Sequence, residues 1–269
     1  MFKRGKKVGL ALGGGSARGF AHIGVIKVLK LAGVPIDLIT GTSMGSVVGA
    51  AYCAGLELPL LERLFSHADS KLWLDWTFPH MGLAAGDKLE QLMLLLTRRK
   101  TFDQLEVPLA IVATDLCRGE KVVMQEGLVA RAVRASAAIP GIFRPLEEGE
   151  QVLVDGAVIE RVPAPTARTL GADLVIAVDV GIYLDGHKPQ HILDVITQSL
   201  DVMQRDLSRY SLEAADVVIS PALREIAPGH FHRAKEAIKA GEEAAHEALP
   251  SIRQMLEKEG LWKLNETIT

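Results

Sequence analysis

The sequence has few cysteines, few aromatic residues and no apolar run long enough to cross a membrane. Cys53 and Cys117 are the only cysteines in 269 residues, and aromatic side chains make up 5%. Two cysteines exclude a disulfide framework, and also a four-ligand zinc site unless histidines lie at suitable spacing. A membrane-spanning helix needs about 20 consecutive apolar residues. The apolar run Val8–Leu12 stops at three glycines, so we expect no such helix.

The sequence also lacks an excess of positive charge. It has 30 Lys and Arg against 33 Asp and Glu, a net charge of −3. Proteins that bind nucleic acid carry a basic surface, so no nucleic-acid partner is expected. The basic start 3–7 precedes an apolar stretch that is too short for a secretory signal peptide, and no cleavage site follows it. With unpaired cysteines, this favours a cytoplasmic protein.

The apolar residues that are present form a regular pattern along the chain. They make up 48% of the residues and give a mean hydropathy of +0.20. Strand-like runs are predicted at 7–12, 36–40, 108–113, 121–125, 151–154, 174–180 and 217–220. Helical patterns are predicted at 17–31, 44–54, 87–100, 128–138, 192–214 and onward to about 258. The run 174–180 is apolar without alternation, which is typical of strands covered by helices on both faces. We predict a single α/β domain over 1–269, with three α/β/α layers around a mainly parallel sheet.

A glycine-rich loop, GGGSARG at 13–19, lies between the first predicted strand and the first helix. Its backbone N–H groups, near the positive end of a helix dipole, suit a negative charge. Arg18 occupies the place of the last glycine in a dinucleotide fingerprint, and Phe20 and Ala21 replace the Lys-Ser/Thr pair of a phosphate-binding loop. Both nucleotide interpretations are therefore disfavoured. Arg18 either serves an anion site, anchors the loop, or is a surface arginine in an ordinary glycine turn.

A second motif, Gly41-Thr42-Ser43-Met44-Gly45, lies between a predicted strand and a predicted helix. This context suits a nucleophilic serine, because a sharp strand-to-helix turn exposes the hydroxyl. Such a turn leaves room only for small neighbours, and Gly41 and Gly45 supply them. We predict that Ser43 is a nucleophile.

A serine nucleophile needs a base, and the residues leave two kinds open. One is histidine, and the chain has eight: His22, His67, His80, His187, His191, His230, His232 and His246. The other is Asp155, which ends a short predicted strand and precedes Gly156 and Ala157. At the carboxyl end of a parallel strand, its side chain would point into the ligand crevice. The simpler alternative is that Asp155 caps the next turn.

Three motifs in this order resemble the patatin-like phospholipase family: the loop 13–19, the serine motif 41–45 and Asp155-Gly156-Ala157. The segment 135–143 also resembles the helix and loop before that family's aspartate strand. The resemblance covers about residues 7–165 and is closest to short, single-domain bacterial members. It leaves the C-terminal helical part, about 181–269, without assigned chemistry.

The resemblance implies an acyl hydrolase of lipid esters that uses a Ser–Asp dyad, with Ser43 as nucleophile and Asp155 as base. No metal and no cofactor are implied. The oxyanion hole would be formed by amides of the glycine loop with the arginine nearby: Gly13, Gly14, Gly15 and Arg18. Alternatives are a serine esterase, thioesterase or acyltransferase with a histidine base, or a lipid-binding regulatory protein with little activity.

A surface for substrate is predicted at 72–96. It contains Trp73, Trp76 and Phe78, followed by an apolar helix. Aromatic side chains beside such a helix suit a lid or a peripheral contact with a membrane. The alternative is a helix packed on the core with a loop over it. The sequence does not indicate an oligomeric state.

Overall fold

The computed structural model describes residues 5–66, 75, 77–78, 81–181 and 188–262. These residues contain ten strands and eight α-helices, joined by 3-10 turns and loops. The strands are β1 (Val8–Leu12), β2 (Leu38–Thr42), β3 (Gly82–Ala84), β4 (Leu109–Asp115), β5 (Glu120–Met124), β6 (Gly141–Phe143), β7 (Leu146–Glu148), β8 (Gln151–Asp155), β9 (Leu174–Val178) and β10 (Val217–Ile219). The helices are α1 (Ala21–Leu31), α2 (Met44–Cys53), α3 (Leu58–Ser66), α4 (Asp87–Leu96), α5 (Val129–Ser136), α6 (Ala164–Thr169), α7 (Ile192–Leu212) and α8 (Ala234–Lys258).

The central sheet has the order β10-β9-β1-β2-β4-β8-β7, with β5 also paired to β4. Strands β10, β9, β1, β2 and β4 run parallel to their neighbours. Strands β5, β8 and β7 pair in antiparallel fashion. The expected α/β fold with a mainly parallel sheet is confirmed.

Side chains of β1 alternate between two cores, which gives the sheet its three layers. Leu10 and Leu12 are buried in the main core with residues of α1, α2 and α8. Ala11 points to the other face, into a smaller cluster with alanines of α6 such as Ala164 and Ala167. Helices therefore cover both faces, which explains why the strands of this region are apolar without alternation.

Two strands end against each other beside β4. Thr42, the last residue of β2, pairs with Val112, and Asp155, the last residue of β8, pairs with the next residue, Ala113. Because β5 occupies the opposite edge of β4 along this stretch, β2 and β8 share one edge and meet there with their carboxyl ends. The prediction that Asp155 ends a parallel strand is wrong, since β8 is antiparallel to β4. This head-on meeting brings Asp155 to the carboxyl end of β2.

Several predicted boundaries differ from the structure. The predicted helix 17–31 begins as a 3-10 turn at Ser16–Phe20 before α1. Strand β2 lies two residues beyond its predicted place, and β3, β6 and β7 were not expected because they are only three residues long. In the described residues, no helix is long and apolar enough to cross a membrane.

Candidate active site

Ser43 sits in a strained turn between β2 and α2. Its backbone has φ 53° and ψ −124°, a conformation that costs on the order of 1–3 kcal/mol outside glycine. The turn is tight because a Cβ on Gly45 would lie 2.1 Å from the carbonyl oxygen of Leu12, and one on Gly41 would lie 2.7 Å from the Cα of Ser46. Both glycines are therefore required by close backbone contacts, as the motif predicts.

A hydrogen-bonded chain holds the serine turn against β4. The N–H of Ser43 donates to Oγ of Ser136 at 2.9 Å, and that hydroxyl donates to the carbonyl oxygen of Val112 at 2.6 Å. Ser136 lies at the end of α5 and is fully buried. Sequence reasoning missed its role, because one serine among alanines gives no signal of its distant partners.

Asp155 faces Ser43 across the meeting point of β2 and β8. Its carboxyl lies near the Ser43 hydroxyl, which favours the ionised form and so acts to lower the pKa of Asp155. Its Oδ1 also accepts from the N–H of Ala157 at 2.9 Å, so the residue does cap the following turn as well. Burial raises the pKa of Asp155 to about 6, against the opposing effects of the Ser43 hydroxyl, the Ala157 N–H and the positive charge of Arg161.

The glycine loop passes directly over the serine. A Cβ on Gly14 would lie 3.2 Å from Cβ of Ser43. The N–H of Gly13 donates to Val178 at 3.1 Å and that of Gly14 to Arg161 at 2.9 Å, so neither is available to an oxyanion, contrary to expectation. The physical reason is that the loop begins by extending the β1–β9 ladder. The N–H of Gly15 has no hydrogen-bond acceptor among the residues that the structure describes.

Arg18 anchors the loop to the C-terminal part of the chain. The side chain is buried, and its Nε donates to the carbonyl oxygen of Ile226 at 2.6 Å. Nη1 reaches the carbonyl oxygen of Gly181 at 3.5 Å. Of the interpretations that the sequence left open, the surface arginine is wrong and loop anchoring is confirmed.

A second buried arginine, Arg161, was not expected from the sequence. Its Nη1 donates to Oδ1 of Asp179 at 2.7 Å and its Nη2 to the carbonyl oxygen of Gly181 at 2.7 Å. Its own carbonyl oxygen accepts the N–H of Gly14. Arg161 therefore fixes the glycine loop and places a positive charge near Asp155. Its partners lie in the loops that follow β9 and β1, which is why no local motif reveals it.

Ser43 and Asp155 open into a mostly apolar pocket of about 390 Å³. Ile139, Ile142 and Phe143 line one side. Helix α7 covers another side with Thr197, Leu200, Asp201 and Gln204. The C-terminal part, which carries no recognisable motif, thus supplies part of the pocket wall.

The histidine alternative has little geometric support in the described part of the chain. None of His22, His191, His230, His232 and His246 lines this pocket. His22 is fully buried, its ring Nε2 lies 2.7 Å from the carbonyl oxygen of Gly13, and burial lowers its pKa to about 4. The remaining histidines, His67, His80 and His187, lie outside the described residues.

The predicted substrate surface is only partly described. Trp73 and Trp76 lie outside the described residues. Phe78 is 85% exposed and does not line the pocket, whereas its neighbour Leu83 on β3 does. Within the ranges given above, no group of three or more His, Cys, Asp or Glu side chains is arranged to hold a metal ion.

A strained serine after a strand, beside a buried carboxyl and beneath a glycine loop, has the features of an α/β serine hydrolase. The family model described as patatin-like phospholipase matches residues 10–168. The match covers more than half of the chain, and the chain belongs to this family.

Curated relatives agree with this assignment, and a solved structure shares the fold. Over 192 residues the chain is 36% identical to Lysophospholipase NTE1 of Coccidioides immitis, covering 69% of this chain and 12% of the relative. It is also 36% identical over 192 residues to Patatin-like phospholipase domain-containing protein 6 of Mus musculus, covering 66% and 14%. The chain thus spans a small part of these relatives. VipD from Legionella pneumophila shares the fold, with a TM-score of 0.65 at 13% identity, covering 92% of this chain and 67% of that one.

Proposed function

We propose that this chain is a serine hydrolase of lipid acyl esters, with Ser43 as nucleophile and Asp155 as general base. The observation that carries the proposal is the position of Ser43 beside the buried carboxyl of Asp155, where both residues line one mostly apolar pocket. A pKa of about 6 leaves that carboxyl mostly ionised near neutral pH, the form that accepts a proton, and makes it a stronger base than an ordinary aspartate.

In the proposed reaction, Oγ of Ser43 attacks the ester carbonyl carbon while Asp155 takes the hydroxyl proton. The ester C–O bond then breaks, and the proton passes from Asp155 to the leaving alcohol, which leaves an acyl group on Ser43. Water then attacks the acyl carbon while Asp155 takes its proton; the bond from that carbon to Oγ of Ser43 breaks, the proton returns from Asp155 to Oγ, and the fatty acid leaves. The N–H of Gly15 is the loop amide that we assign to the oxyanion, and losing one such donor costs about 10²–10³ in turnover in serine hydrolases.

Labelling with a fluorophosphonate tests the nucleophile. We expect Ser43 to be labelled, and Ser43→Ala to abolish both labelling and hydrolysis. Asp155→Asn keeps the size of the side chain but removes the base, so hydrolysis should fall by about 10³-fold or more at neutral pH. Ser251→Ala and Asp103→Asn, at exposed positions that do not line the pocket, serve as matched controls and should keep full activity.

Two results would contradict this assignment. Activity of Asp155→Asn near that of the wild type would exclude the dyad and make the histidines the next candidates for the base. Absence of labelling in the folded wild-type protein would favour a lipid-binding protein with little activity.

We further propose that the substrates are lysophospholipids that the enzyme meets at a membrane surface. Two observations support this: the name of the fungal relative, and a pocket of about 390 Å³ at the small end of ligand pockets, which suits one acyl chain better than two. Comparing turnover of a lysophospholipid with that of the diacyl lipid tests the preference. Faster cleavage of the diacyl lipid would exclude it.

A further inference from the structure

Helix α7 has its polar side turned inward and its apolar side turned outward. The side chains that face the protein body are mostly small or polar: Thr197, Asp201, Gln204, Ser208 and Ser211. No large apolar side chain that the structure describes in this helix is fully buried, although Leu200 lines the pocket and Leu212 packs, partly buried, against the smaller core cluster. A helix that packs on a protein core normally shows the reverse arrangement. The outward apolar face of α7 therefore needs an explanation.

The exposed apolar side chains of α7 form one continuous stripe. Its members are 40–76% exposed: Ile192, Val195, Ile196, Val202, Met203, Leu207 and Tyr210. At about 100° per residue they fall within a sector of about 140°. Asp206 is the one charged residue of the helix inside this sector, about 30° from its centre, and Ser199 is the other polar residue there; Asp194, Asp201, Arg205 and Arg209 lie outside it. A stripe of this extent is unusual on an isolated soluble surface and marks an interaction site.

The stripe continues into the wall of the pocket. Leu200, which lines the pocket, lies about 20° around the helix from Leu207 of the stripe. On the inner side of the helix, Asp201 lines the pocket together with Arg18 and Arg161. Burial raises the pKa of Asp201, although the positive charges of the two arginines act to lower it. An acyl chain moving from the outer face of α7 to Ser43 would therefore meet apolar side chains from the surface to the pocket.

We propose that the α7 stripe is the surface with which this protein contacts a lipid–water interface, so that acyl substrates enter the pocket along the edge of the helix. This inference rests on the proposed function, which supplies the lipid substrate. Its support is the continuity of the stripe with the pocket and the low charge of the stripe, since interfacial helices bury an apolar face among lipid head groups. This proposed lipid contact on α7 is in a different part of the chain from segment 72–96, which the sequence predicts as a surface for substrate or membrane.

Binding to phosphatidylcholine vesicles tests the stripe independently of catalysis. The triple variant Ile196→Gln, Met203→Gln, Tyr210→Gln keeps good helix formers and changes residues that do not line the pocket. We expect its vesicle affinity to fall about tenfold or more, while hydrolysis of a soluble short-chain ester stays within about twofold. The matched control is Leu31→Gln on the last turn of α1, an 81% exposed leucine at the opposite end of the sheet, which should bind as the wild type does.

The remaining arms separate this inference from the proposed function. Ser43→Ala should bind vesicles normally even though it is inactive, so loss of catalysis alone does not affect the result. Equal vesicle affinity of the triple variant and the wild type overturns the inference, as does a wild type that does not bind vesicles. A wild-type dimer that the triple variant converts to a monomer in light scattering would also overturn it and would assign the stripe to a second copy of the chain.

Discussion

Burial shifts the pKa of Asp155 and the pKa of His22 in opposite directions. Burial raises the pKa of Asp155 to about 6 and lowers that of His22 to about 4, because in each case it disfavours the charged form. His22 therefore stays neutral near pH 7 and can donate from Nε2 to the loop carbonyl of Gly13. Asp155 is ionised near pH 7 at a cost in free energy.

That cost predicts how Asp155→Asn changes stability with pH. The pKa of Asp155 is 3.8 in an unfolded chain and about 6 in the folded protein. Between these values the folded protein holds a proton that the unfolded chain lacks, so wild-type stability falls as pH rises, by up to about 3 kcal/mol above pH 6. Asparagine has no such dependence. We expect Asp155→Asn to match the wild type near pH 4 and to unfold at a higher temperature at about pH 7.5.

Thermal unfolding at the two pH values checks this expectation, with the exposed Asp103→Asn as the control that should follow the wild type. A difference between Asp155→Asn and the wild type that is the same at both pH values would contradict it. Such a result would mean that the free energy of unfolding is not linked to the ionisation of Asp155.

At the scale of elements, the contact between α1 and α8 is set by two glycines. A Cβ on Gly24 of α1 would lie 2.0 Å from the carbonyl oxygen of Ile238, and one on Gly241 of α8 would lie 2.0 Å from that of Ala21. Each helix therefore places a glycine against the backbone of the other. We propose that this contact joins the C-terminal part to the motif-bearing part in a single domain.

Gly241→Ala is expected to destabilise the protein, because the added methyl group meets backbone that cannot rotate away. Overpacking of this kind costs about 1–3 kcal/mol, more than the alanine gains in helix propensity. Chemical denaturation measures the change, and Lys235→Ala on the exposed face of the same helix should stay within about 0.5 kcal/mol of the wild type. Unchanged stability of Gly241→Ala would mean that the helices separate at little cost.

At the scale of the whole molecule, charge and apolar surface predict different kinds of membrane contact. The net charge of −3 opposes attraction to anionic lipids, whereas the α7 stripe is apolar. We therefore expect vesicle affinity to change less than about threefold between low salt and about 0.5 M salt, because screening acts on charges and not on apolar burial. Co-sedimentation at the two salt concentrations measures it. A steep loss of binding at high salt would instead indicate the basic segment 3–7.

Local features of the sequence were sufficient for much of the fold and for the candidate nucleophile, whereas the pairing of Ser43 with Asp155 was implied by the family resemblance. The strand-glycine-serine-glycine-helix order around Ser43 is determined by short-range sterics, so the turn follows from residues 41–45 themselves. The apolar strands and their helical partners likewise follow from periodicity. The cytoplasmic location, the roles of the dyad and the absence of a cofactor stay predictions.

Only the tertiary structure decided which of these local features meet. The antiparallel pairing of β8, which brings Asp155 to Ser43, depends on the edge of β4 that β2 leaves open. The amides of Gly13 and Gly14 are occupied by acceptors from β9 and from Arg161, whereas the described residues offer no acceptor to the amide of Gly15. The spacing of polar residues along α7 does not reveal that Thr197, Asp201 and Gln204 line the pocket. Strand order, hydrogen-bond partners and helix orientation join residues far apart in the chain, and a local pattern specifies what an element is but not what it touches.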